Sequence, residues 1–171
     1  MSKTLYIHGL DGFLSEEKRT ILSKHTQVVA PIINYRANPT SYNDLKSMAI
    51  NEKVDIIIGT SMGGCMAYHL SLHLSLPALL FNPALPFRSV GIDLPVQDKV
   101  RETYLHVVIG GQDDIIDPIQ NLIWIVAREK GAMDIRWKNT LGHRIPLDVF
   151  EEEVGGFFGK LITEIKKNKK K

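Results

Sequence analysis

A chain of 171 residues, 44% of them hydrophobic, has the make-up of one ordinary globular domain: too short for two comfortable cores, and neither disordered nor fibrous. The formal net charge of +2 becomes −3 once the five lysines between Lys166 and Lys171 are set aside, which removes the case for a nucleic-acid partner. Cys65, the single cysteine, excludes an internal disulfide, no stretch approaches the ~18 apolar residues of a membrane span, and Met1 to Gly9 is too short an apolar run for a signal peptide. A soluble protein of the cytoplasm is the expectation.

In chain order, Thr4–Ile7 reads as a short buried strand ending in the loop His8 to Gly12, and a helix follows from Ser15 with Glu16 and Glu17 in its first turn. Gln27–Ile33 is expected as a second strand, cut or pushed to an edge by Pro31. A loop around Asn38 and Pro39 leads to a helix over Tyr42–Asn51, a third strand over Val54–Ile58 and a helix from Met62 to about Leu74. Ala78–Phe81 is the fourth strand, and Leu85 to Glu102 lacks a clear period and reads as an irregular excursion over the sheet edge. Tyr104–Ile109 is the fifth strand, Ile119–Lys130 a helix with Gly131 as its stop, Ile135–Lys138 the sixth strand, and a helix from Pro146 or Leu147 runs into the lysines. Residues 1–165 are thus expected as one domain, with 166–171 as a basic, solvated tail.

Uniformly apolar strands separated by helices mean an α/β fold with a parallel sheet covered on both faces. In such a sheet, functional loops collect beyond the carboxyl ends of the strands. Ser61, Asp113, His143 and the loop His8, Gly9, Leu10 all follow strand ends.

The organising stretch is Val54 to Gly64 (VDIIIGTSMGG), where β-branched residues stop at a glycine-flanked serine and an apolar helical stretch begins. A strand, a tight turn and a helix can hold a serine hydroxyl above a sheet edge, and Gly59 and Gly63 keep the two backbones close because neither has a Cβ. Ser61 is therefore the candidate nucleophile. A serine hydroxyl needs a base, and His143 is the candidate because imidazole titrates near working pH. The base needs a carboxylate to hold its tautomer, for which Asp113, Asp114 and Asp117 stand in one loop. Asp117, immediately before Pro118, is also a natural helix N-cap. The N–H of Met62, at a helix start beside the serine, is a candidate donor to a developing oxyanion.

The motifs LYIHGL (Leu5 to Leu10), IGTSMGG (Ile58 to Gly64), LFNPA (Leu80 to Ala84), DDIID (Asp113 to Asp117) and LGH (Leu141 to His143) span nearly the whole chain. Together they resemble those of α/β-hydrolases, and closely those of the small bacterial YqiA-type esterases; the turn Asn82, Pro83, Ala84 points to that narrower group. Leu85 to Glu102 has no firm motif match. The resemblance implies a minimal α/β-hydrolase fold, a three-layer α/β/α sandwich around a mainly parallel sheet of about six strands, without a cap domain. It favours Asp113 as the acid over Asp114 and Asp117, and adds the N–H of Leu10 as the second oxyanion donor. The function it implies is hydrolysis of carboxylic esters or thioesters through an acyl-enzyme, on a small-molecule substrate, without metal or cofactor. The alternatives are a non-catalytic binding protein on the same fold and a small serine peptidase.

The remaining candidates read as structural. His8 supports its loop, His106 lies within a strand, and His25 is a surface residue near a helix end. His69 and His73 lie one helical turn apart without a third ligand. Cys65, Trp124 and Trp137 read as core, while Phe13, Phe87 and Val90 are placed near the functional edge as candidate acyl-pocket residues.

Overall fold

The computed structural model describes residues 1–96 and 99–168. Six strands form one parallel sheet: β1 (Lys3–Ile7), β2 (Gln27–Val29), β3 (Ile56–Thr60), β4 (Ala78–Phe81), β5 (Leu105–Gly110) and β6 (Met133–Lys138), in the order β2-β1-β3-β4-β5-β6. Among the described residues five helices accompany them: α1 (Glu16–Ser23), α2 (Ser41–Asn51), α3 (Met62–Leu74), α4 (Pro118–Arg128) and α5 (Leu147–Asn168). α5 takes in part of the stretch expected as a tail, and Lys169 to Lys171 lie outside the described residues.

Strand side chains alternate between two cores, as a pleated strand requires. Leu5, Ile7, Ile57, Leu80, Val107 and Ile109 meet residues of α2, α3 and α4 on one face. Tyr6, Ile56, Ile58, Leu79, Phe81 and Val108 meet α1 and α5 on the other, where Phe150, Val154 and Phe157 are buried. Both faces are therefore covered, which is why the strands carry apolar residues at successive positions.

Helix ends follow local chemistry. The Ser15 hydroxyl caps α1 by accepting from the Lys18 N–H, and the Asp117 carboxylate caps α4 by accepting from the N–H groups of Ile119 and Gln120, each at 2.9 Å, with Pro118 in the first turn.

Several sequence expectations are corrected. β2 ends at Val29, short of Ile33: Pro31 offers no N–H to a ladder, and the Ile33 N–H is engaged by the ring of His8. β3 is shifted two residues toward the elbow, because Val54 still caps α2, its N–H bonding to Ala49 O, while Gly59 and Thr60 pair with β4. Trp137 is not core: on edge strand β6 it is 39% exposed, with its indole N–H donating to Asn139.

The excursion after β4 is anchored inward. Val90, Ile92 and Leu94 pack on the α2/α3/α4 core, and the buried guanidinium of Arg101 bonds Glu129 at 2.9 Å, Ser71 Oγ and Tyr68 O while lying over the Tyr68 ring. Val90 is thus a core contact and not a residue of the cleft described below.

The chain leaves β1 outward to β2, then returns past it to β3. The carboxyl ends of β1 and β3 therefore lie side by side where the strand order reverses, the position at which open α/β sheets place their ligands.

Candidate active site

β3 delivers Ser61 on a strained turn, with φ 53° and ψ −118°, a region that non-glycine residues seldom occupy. The turn is held from several sides. The Ser61 N–H donates to Phe81 O, and its carbonyl accepts from the N–H groups of Cys65 and Ala84. The flanking glycines are steric necessities: a Cβ on Gly59 would stand 2.2 Å from Gly63 O, and one on Gly63 would stand 2.1 Å from Ile7 O.

The three candidate catalytic residues form one hydrogen-bonded chain. His143 Nε2 lies 3.1 Å from Ser61 Oγ, and His143 Nδ1 lies 2.9 Å from each carboxylate oxygen of Asp113. Asp113 is buried, and its Oδ1 also accepts from the N–H groups of Ile115 and Ile116 at 2.9 Å, so the carboxylate is fixed before it meets the imidazole. Asp114, exposed at the cleft rim, makes no hydrogen bond to His143 among the described residues, and Asp117 caps α4. With Nδ1 donating to the carboxylate, Nε2 is the nitrogen free to accept the serine proton.

Leu10 and Met62 line the same cleft as Ser61 and His143, a concavity of about 1040 Å³. Among the described residues no backbone carbonyl accepts the N–H of either, and Met62 opens α3, where such groups have no partner within the helix. Phe13 and Phe87 line the cleft as expected, both largely exposed, and Ile115 joins them.

The loop after β1 is braced by His8 more closely than its sequence position foretells. His8 Nε2 accepts the Ile33 N–H at 2.9 Å, so the ring proton sits on Nδ1, which donates to Gly9 O at 2.6 Å. Buried Tyr35 donates to His8 O at 2.7 Å, and the Gly12 N–H also donates to Gly9 O. A hypothetical Cβ on Gly9 would lie 3.2 Å from Ser61 Cβ, so this loop runs directly against the elbow.

Asn82 is the residue that sequence reasoning missed as a participant. Buried and in a left-handed conformation (φ 41°), it donates through Nδ2 to Gly142 O and His143 O and accepts the Gly110 N–H through Oδ1. One amide thereby ties the ends of β4 and β5 to the loop carrying His143. Its sequence signal was faint: an asparagine before a proline, at a strand end.

Cys65 is buried one turn along α3, and burial pushes its thiol up to about 11, far from the thiolate a nucleophile needs. His69 is buried, His73 bonds Tyr42, and among the described residues no group of three or more potential metal ligands converges. Trp124 is partly buried against the α2/α3/α4 core.

The sheet order, the turn at Ser61 and the loops around it define an α/β-hydrolase fold. An α/β-superfamily protein from Xanthomonas campestris superposes with a TM-score of 0.68 at 16% identity, over 94% of this chain and 99% of that one. Est1E from Butyrivibrio proteoclasticus, solved with ferulic acid bound, gives 0.69 at 14% identity over 95% and 90%, and a Bacillus cereus carboxylesterase gives 0.60 at 17% over 91% and 87%. The chain belongs to the uncharacterised protein family UPF0227, whose family model matches residues 3–118. No curated protein matches it in sequence. Among the described residues no helix is long and apolar enough to cross a membrane.

Proposed function

We infer that the protein is a serine hydrolase that cleaves carboxylic esters or thioesters through an acyl-enzyme. The observation that carries this reading is the chain Ser61 Oγ, His143 Nε2, His143 Nδ1, Asp113, with separations of 3.1 and 2.9 Å on an elbow strained at the serine. The likeness of fold to a carboxylesterase and to a protein holding ferulic acid adds support.

In the first half-reaction Ser61 Oγ attacks the carbonyl carbon as its proton passes to His143 Nε2. Asp113 holds the imidazole and balances the imidazolium. The carbonyl oxygen, now an anion, is met by the N–H groups of Leu10 and Met62. The tetrahedral intermediate collapses, the bond to the leaving oxygen or sulfur breaks, and His143 returns the proton to that atom. In the second half-reaction His143 takes a proton from a water, which attacks the acyl carbon; the bond to Ser61 Oγ then breaks, His143 returns the proton to Oγ, and the carboxylic acid leaves. Every proton in this sequence is carried by the chain's own groups.

The reading takes residues 1–165 as one domain without a cap: among the described residues the excursion after β4 is anchored through Arg101 on α3 and at the end of α4, and it lends Phe87 and Arg88 to the wall of the cleft. A fluorophosphonate probe tests it against a non-catalytic binding role. Labelling at Ser61, located by mass spectrometry, together with turnover of a simple nitrophenyl ester, is expected; folded protein that takes no label and turns over no ester would falsify it. Turnover of peptide amides in preference to esters would favour the peptidase alternative.

A further inference from the structure

Arg88 projects from the excursion into the cleft, four residues after Ala84, whose N–H is bonded to Ser61 O. The side chain is half-buried. Its Nη1 donates to Leu85 O at 3.2 Å and contacts Cys65 Sγ at 3.7 Å, which directs the guanidinium against the first turns of α3. The Nε–H and the two Nη2 hydrogens have no acceptor among the described residues, and no described carboxylate lies within ion-pairing distance.

Neither carboxylate that lines the cleft among the described residues, Asp11 or Asp114, pairs with Arg88, nor does Asp113 behind them. Asp11 is taken by Arg36 at 2.8 Å, Asp113 is engaged with His143, and Asp114 stands exposed at the rim. Taking a guanidinium partly out of water has a cost that a bound anion offsets. The edge left open, Nε with Nη2, is the fork that receives a carboxylate through two parallel hydrogen bonds.

We propose that this edge of Arg88 binds a carboxylate carried by the substrate itself, so that esters bearing a short-range anion are the preferred class. The proposal rests on the esterase reading above. Cys65 is one helical turn from Ser61, roughly 6 Å along the axis. An anion about four or five bonds from the scissile carbonyl, on either its acyl or its alcohol side, spans a separation of that order. Hemiesters of a dicarboxylic acid such as glutaric acid have it on the acyl side; acetyl esters of a short hydroxy acid have it on the alcohol side. In both cases the bond that breaks is the ordinary ester bond, and Arg88 makes only ionic hydrogen bonds.

The test compares kcat/KM for nitrophenyl hemiglutarate with that for neutral nitrophenyl hexanoate, and for the acetyl ester of β-hydroxypropanoate with that of its amide. In the wild-type protein at least one anionic ester is expected to exceed its neutral partner by about tenfold or more, mainly through KM, and the pair that does so identifies the side. Arg88→Met should collapse that ratio toward one, and Arg88→Lys should restore part of it. A wild-type preference for the neutral member of both pairs, or a ratio untouched in Arg88→Met, overturns the proposal. Fluorophosphonate labelling of Ser61 in each variant reports whether the site is folded. Should Arg88→Met fail to label, the wild-type ratios and protection of Ser61 by glutarate but not glutaramide decide. If the wild-type protein neither labels nor turns over any ester, the esterase reading fails by itself, and calorimetric titration of wild type and Arg88→Met with glutarate still decides the anion site.

Discussion

The side-chain amide of Asn82 donates to the main-chain carbonyl of His143 at 3.1 Å while its oxygen accepts the Gly110 N–H at 2.7 Å. The imidazole is thus held through its own backbone by a residue that makes no hydrogen bond to Ser61 among the described residues. Asn82→Ala is expected to lower kcat by roughly 10- to 100-fold with a smaller change in KM, because a displacement of about 1 Å is enough for such a loss. Leaving the buried Gly110 N–H without a partner should also cost about 1–3 kcal/mol in denaturant unfolding. Asn82→Asp keeps the acceptor but loses both donated bonds and buries a charge, so it should be at least as damaging in kcat. Steady-state kinetics beside urea unfolding separates the two effects.

The three loop aspartates have three different surroundings, and their variants should differ accordingly. Asp113→Asn is expected to lower kcat by about 10⁴-fold, since an amide facing His143 Nδ1 favours the wrong tautomer. Asp114→Asn, at an exposed position without a bond to His143, should stay within about threefold of wild type. Asp117→Ala should cost about 1 kcal/mol of stability through the lost cap, with turnover largely kept. Near-normal kcat in folded Asp113→Asn would overturn its assignment as the triad acid.

His8 acts on the loop of Leu10, the proposed oxyanion donor, through a single peptide plane. The carbonyl of Gly9 and the N–H of Leu10 belong to one trans peptide and point in opposite directions, so the 2.6 Å bond from His8 Nδ1 to Gly9 O aims the Leu10 N–H away from the core. His8→Ala should lower kcat by roughly 10- to 100-fold with KM less affected, as expected for a donor that acts in the transition state. An unchanged kcat would show that Tyr35 and Gly12 hold the loop without it.

His69 gives the protein an acid-sensitive element in α3. It is 6% exposed, and burial, reinforced by nearby Arg88, His73 and Arg101, pushes its pKa down to about 4. Between about pH 6.5 and 4 the unfolded chain takes up a proton that the folded chain refuses, so the stability contributed by neutral His69 is present above this window and lost as pH falls through it. The loss is on the order of 3 kcal/mol. His69→Gln cannot be protonated and should flatten this part of the stability–pH profile relative to wild type, in paired urea titrations at pH 7 and pH 4.5.

What could be read from the chain was whatever depends on neighbours in sequence. Uniformly apolar segments between helical ones specify a parallel sheet buried on both faces, and TSMGG beside a strand end specifies a turn whose backbones must nearly touch. Local competition is also legible: Asp117 before Pro118 reads as a cap and is one. Boundaries were less legible, because they depend on bonds to distant residues. β2 stops early since His8, some 25 residues away in sequence, takes the Ile33 N–H. Trp137 has the residue type of a core position, but its strand lies at the sheet edge, so its ring faces solvent.

Sequence alone therefore determined the type of fold and the kinds of groups delivered to one sheet edge, because both follow from periodicity and from turns of a few residues. Only tertiary structure decided which of three aspartates faces His143, that Asn82 joins two strand ends to the histidine loop, and that Arg88 stands in the cleft without a counter-ion among the described residues. Each of these relations joins residues at least 23 positions apart, brought together by packing of the sheet and its crossovers, and no local pattern encodes where such distant groups meet.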